Sequence, residues 1–109
     1  MPRDETEAAY FALLRAREEV TALHRYGEYL EAEAQRLRRT SKEAAALLGQ
    51  VDRRLARALR HTDGPLQEAV DMRLRAIDDE HQRLPERIRA AEAYVEVCER
   101  EHATLRSGG

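Results

Sequence analysis

Residues 38–48 read RRTSKEAAALL, and their reading decides the fold. Thr40-Ser41-Lys42-Glu43 matches a capping box, in which a hydroxyl and a carboxylate three residues apart satisfy orphan backbone donors at a helix start. If a helix begins there, the chain is a three-helix bundle with a break near 40–41. If the match is a coincidence of a Glu-rich sequence, one helix runs through it and the chain is a two-helix hairpin.

The apolar periodicity on either side favours the second reading. Leu13, Ala16, Val20, Leu23, Gly27, Leu30, Ala34, Leu37, Ser41, Ala44, Leu48, Val51, Leu55 and Ala58 follow one another in alternating steps of three and four. This is the a/d pattern of a heptad repeat. Its phase is unchanged across Thr40-Ser41, and a loop between helices has no reason to preserve it. The same alternation runs from Val70 through Leu74, Ile77, His81, Leu84, Ile88, Ala91, Val95, Cys98 and His102 to Leu105.

Between the two runs lies Asp63-Gly64-Pro65. Glycine commonly ends a helix in the left-handed conformation, proline is favoured at a first helical position, and Asp63 is placed to cap the second helix. The expected fold is therefore all-α: an antiparallel coiled-coil hairpin with helices over about 4–61 and 65–106, in a single domain 1–106 followed by a flexible tail, 107–109. Pairing about Gly64 sets Gly27 opposite Cys98 and Leu23 opposite His102. It leaves the residues before about Arg17 without a partner.

Composition agrees. Charged residues make up 37% of the chain and aromatics only 5%, and Ala, Leu, Glu and Arg are strong helix formers. The apolar residues are mostly small, which suits a thin seam rather than a thick core. No apolar run approaches the roughly 18 residues needed to span a bilayer, and no signal-peptide core follows the start. A cytoplasmic protein without membrane contact is expected. Cys98 is the one cysteine, which excludes an internal disulfide framework.

The net charge of −2 hides an uneven distribution. Residues 1–33 carry 4 basic and 8 acidic side chains, residues 34–61 carry 8 and 2, and residues 62–109 carry 7 and 11. Arg38, Arg39, Lys42, Arg53, Arg54, Arg57 and Arg60 make the central tract a candidate nucleic-acid contact. Aromatic residues to stack on bases are missing from it. In the register about Gly64 it also lies beside Asp63, Glu68, Asp71 and Asp78–Glu80.

Apolar residues beyond the seam point to protein partners. Tyr10, Phe11, Leu13 and Leu14 fall in the segment expected to be unpaired. Tyr26 and Tyr29, with Ala8, Ala12 and Ala22, widen the stripe of the first helix. Tyr94 and Val97, with Ala69 and Ala90, widen that of the second. Wide stripes suit bundles of more than two helices. A homodimer forming a four-helix bundle is therefore expected, with Tyr10, Phe11, Leu13, Leu14, Tyr26, Tyr29, Tyr94 and Val97 as the partner interface.

Glu99 with His102, and Asp78 with His81, place a carboxylate and a histidine on one helix face, as in carboxylate-bridged metal bundles. The facing seam offers no matching carboxylates, so His81 and His102 read as polar seam residues that set register. No nucleophile, base and orienting group can be assembled, and no glycine-rich phosphate loop is present. The expectation is a non-enzymatic adaptor, scaffold or regulator without cofactor, acting on itself and another protein. The alternatives are a nucleic-acid-associated or transcription-regulating protein, a leaderless secreted hairpin, and a carboxylate–histidine metal bundle.

Overall fold

A computed structural model describes the chain from Pro2 to Gly108, with side chains described from Asp4 onward. It holds two helices, α1 (Pro2–Gln50) and α2 (Arg53–Gly108). Two packed units can be distinguished, one made of Met1–Gly27 with Arg83–Gly109 and the other of Glu28–Gln82. In each, a stretch of α1 lies antiparallel against a stretch of α2, the arrangement of a two-helix hairpin.

The capping box is not used. α1 passes through Thr40-Ser41 without interruption. The Thr40 hydroxyl donates to the carbonyl of Arg36 at 3.0 Å, a back-bond one turn earlier that occupies it within the helix. Ser41 instead looks across the hairpin and donates to Gln67 Oε1 at 3.2 Å.

The reversal lies at Val51-Asp52 and not at Gly64, so the expected helices 4–61 and 65–106 are replaced by Pro2–Gln50 and Arg53–Gly108. Asp52 is the N-cap of α2. Its Oδ1 accepts the backbone N–H of Leu55 at 2.8 Å, and its carbonyl accepts the N–H of Ala56 at 2.9 Å. An aspartate there satisfies one of the four donors that a helix start leaves orphaned. Replacing Asp52 with Ala is expected to cost about 1 kcal/mol, read as a lower midpoint in urea; an unchanged midpoint would show that the cap does not hold the turn.

Asp63, Gly64 and Pro65 are all inside α2. No described glycine has positive φ, so Gly64 does not act as a left-handed stop. α2 also continues through Ser107 and Gly108, in the stretch expected to be a flexible tail.

The buried positions follow the heptad seam closely. From Leu13 through α1 to Val51 in the turn, every seam residue is buried or half-buried, and on α2 the same holds from Val70 to Leu105 except for His81, which is exposed. His81, expected on the seam as a polar register residue, is therefore outside the packed face; His102 is half-buried. Leu55 and Ala58, expected in the seam, are exposed, and Ala56 is buried in their place. The chain reversal restarts the phase: from Ala56, Asp63 and Gln67 the steps lead directly into Val70. Asp63 and Gln67 are half-buried, and their polarity hides this part of the repeat in the sequence.

Moving the turn also moves the register. Leu13, Ala16 and Cys98 pack together with Ala12 and Val95 against them, so Cys98 meets Leu13 rather than Gly27. A Cβ built on Gly27 would lie 3.2 Å from Leu84 Cδ1, so the residue opposite Gly27 is Leu84. Both pairings are displaced from the expected ones by fourteen residues, two whole heptads, and each seam still faces the other. The segment before Arg17 gains the partners it was expected to lack.

Candidate interaction surfaces

In the unit of Met1–Gly27 and Arg83–Gly109, heptad geometry gives two flanks beside the seam. On one, Ala12, Ala16, Leu23, Ala90 and Ala91 floor a groove of about 530 Å³, with Arg15, Glu19, Arg87 and Tyr94 along its rim. Methyl side chains keep the floor low enough for a facing helix to approach closely. Tyr94 is 57% exposed, and Val97, one turn further on, is exposed as well. The thiol of Cys98, also one turn from Tyr94, pushes the Tyr94 phenol above its usual pKa.

On the other flank the Tyr10 ring centroid lies 5.9 Å from that of Phe11 and 5.5 Å from that of His102, both tilted. Such centroid distances fall in the range of favourable edge contacts. The three residues line an open hollow of about 570 Å³ with Thr6, Glu7 and Arg106. An ion pair of Arg17 with Glu99 at 3.6 Å joins α1 to α2 on this flank. Both partners are half exposed, and such pairs contribute little.

The expected interface residues of this unit therefore separate. Tyr10, Phe11, Tyr94 and Val97 are exposed, while Tyr26 and Leu14 are half-buried. Leu13 is only 4% exposed and belongs to the core with Cys98. It does not stand on the expected unpaired ledge, because the turn at Val51-Asp52 supplies the stretch of α2 that covers it.

In the unit of Glu28–Gln82, Arg73 Nε and Nη2 donate to the two carboxylate oxygens of Glu33 at 2.9 and 3.0 Å. This fork, together with the Tyr29 hydroxyl, holds the Glu33 carboxyl below the usual carboxylate range. Tyr29 is exposed and its polar end is engaged with Glu33.

The basic tract surrounds the turn. With the reversal at Val51-Asp52, the 53–60 stretch folds back towards residues 44–51, where Gly, Gln, Ala, Leu and Val leave no acid before Asp52. Of the acids expected beside the tract in the register about Gly64, Asp78 accepts instead from Gln82 on its own helix, at 3.1 Å. Arg38, Arg39, Lys42, Arg53, Arg54, Arg57 and Arg60 are all exposed and form no ion pair among the described residues.

Beside these cations stand four exposed leucines, Leu47, Leu55, Leu59 and Leu66. Leu55 was expected in the seam, and the other three fall outside it. A signal for them does exist in the sequence: Leu55, Leu59, Thr62 and Leu66 keep steps of four, three and four. They form a second stripe on α2, beside the one that meets α1.

Among the described residues no group of three or more His, Cys, Asp or Glu is placed to hold a metal ion. No polar or charged residue among them is buried, and no helix of theirs is long and apolar enough to cross a membrane. Comparison with protein-family models, with curated proteins and with solved structures finds no match.

Proposed function

We propose that this chain is a non-enzymatic adaptor or regulator that works through helical surface, and that its first unit pairs with a second copy to form a four-helix bundle. The groove floored by alanine, with exposed Tyr94 on its rim and Val97 nearby, carries this reading. A two-fold interface uses the same patch on both partners, so each Tyr94 would cover the alanine floor of the other copy. Tyrosine suits that position, combining large contact area with a hydroxyl that can hydrogen-bond.

Surface area supports a partner. The chain exposes 8788 Å², against roughly 6200 Å² for a folded monomer of this mass. Ten large hydrophobic residues are exposed among those described, whereas five, Leu13, Leu23, Leu30, Ile77 and Leu84, are buried. The hollows stand open to water, which favours surface contact over desolvated chemistry.

Sedimentation equilibrium tests the pairing. A dimer is expected at micromolar concentration, and Tyr94→Ala should weaken it about tenfold or more, as loss of a central aromatic anchor does. A wild-type protein that stays monomeric at high micromolar concentration would remove the reading.

A further inference from the structure

The geometry points to a second docking surface at the turn, one that receives an acidic amphipathic helix of another protein. It uses residues separate from the dimer groove and does not rest on self-pairing.

Leu55, Leu59 and Leu66 share one stripe of α2, and Leu47 stands on the α1 flank that adjoins it by heptad position; all four are 41–63% exposed. Steps of four, three and four are the spacing on which a helix seats its own a and d residues, so the complement of this stripe is a third helix. Thr62 and Ala69 are exposed members of the same stripe. Together they give an apolar strip that stops at Arg73.

Charge identifies the partner. Arg53, Arg54, Arg57 and Arg60 occupy the other faces of the same helical turns, and Arg39 and Lys42 add to the field from α1. Residues 34–61 carry 8 basic and 2 acidic side chains. One of the two acids, Asp52, is committed to capping α2. An incoming helix rich in glutamate would be drawn in by the field of these cations, which form no ion pair among the described residues.

The other occupants fit less well. A second copy would bring one turn region against another with like charge, or bring its open unit, whose 9 basic and 10 acidic residues nearly cancel. An anionic lipid surface would meet leucines but no aromatic residue, since residues 34–66 contain none, although aromatics favour the interfacial zone. Duplex nucleic acid would engage the cations through its phosphates and leave the leucine stripe facing water.

The test uses the full chain and a labelled three-heptad peptide with leucine at a and d and glutamate at e and g. A control peptide carries lysine in place of glutamate. Fluorescence anisotropy should show binding of the acidic peptide that weakens as salt is added. Leu59→Ser with Leu66→Ser should lower affinity about tenfold or more, since each leucine loses burial on binding. Arg54→Glu with Arg57→Glu should lower it by a similar factor through like-charge repulsion; this pair alters no apolar contact, and circular dichroism checks that both variants stay helical.

Equal binding of the lysine peptide would overturn the proposal, as would affinity unchanged in both variants. Failure of the acidic peptide to bind would also overturn it. In that case, binding to vesicles of phosphatidylglycerol and phosphatidylcholine would assign the surface to lipid, and binding to a short DNA duplex would assign it to nucleic acid.

Discussion

Replacing Gly64 and Pro65 together with Ala is expected to stabilise the protein by about 3–4 kcal/mol, an increment from the proline of about 3 and from the glycine of about 1. Both residues are inside α2 and exposed. Pro65 supplies no N–H to the carbonyl of His61 one turn earlier, and its ring crowds that turn. Gly64 adopts no positive φ, and a Cβ added to it would meet nothing within 4 Å. Alanine at 65 therefore restores a backbone donor and relieves the crowded turn, and alanine at 64 limits the unfolded chain without meeting any neighbour.

The sign of this result discriminates between the two possible turns. Were the chain to reverse at Asp63-Gly64-Pro65, alanine would remove a left-handed residue and a preorganised helix start, and stability would fall. The measurement is the urea midpoint at one fixed protein concentration, because self-association makes apparent stability depend on concentration. A midpoint that drops would return the turn to Gly64.

Leu84→Ala is expected to cost about 4 kcal/mol, within the usual range for truncating a buried leucine. Leu84 is 3% exposed and lies over Gly27. Glycine has no side chain with which to close the resulting hole, which favours the upper part of the range over collapse.

A second substitution makes the pairing itself visible. Gly27→Ala alone should change stability little: the helix gains about 1 kcal/mol, and the new Cβ meets Leu84 Cδ1 at 3.2 Å, closer than atoms in ordinary contact. In the Leu84→Ala background that contact is gone and the full gain should appear. The two effects should thus be non-additive, as they are for residues that touch. Equal effects of Gly27→Ala in both backgrounds would mean that the two residues are not neighbours.

These residues also show where sequence periodicity stops being informative. Spacing alone assigns Leu13 to Val51 and Val70 to Leu105 to the inner face, and all but His81 are buried or half-buried. Tyr10, Phe11, Tyr94 and Val97 are likewise legible as apolar residues outside the seam, and they are exposed. The inward face can be read because side-chain direction in a helix depends only on local backbone geometry, so a few residues suffice to define it.

The place of the reversal cannot be read in the same way, and everything attached to it moved: the partner of Cys98, the cover over Leu13, the isolation of the basic tract and the exposure of Leu55 and Leu59. A heptad pattern displaced by seven or fourteen residues looks the same to the facing helix, so many registers satisfy it. They differ only in caps, in the fit of a large residue over a small one and in the residues left over at the ends. Each of those differences is worth about 1–3 kcal/mol. Asp52 as a cap, Leu84 over Gly27 and Cys98 beside Leu13 are interactions of this kind, and their combined effect outweighed the helix penalty at Gly64-Pro65. Their balance depends on contacts between distant parts of the chain, so only the folded hairpin reveals it.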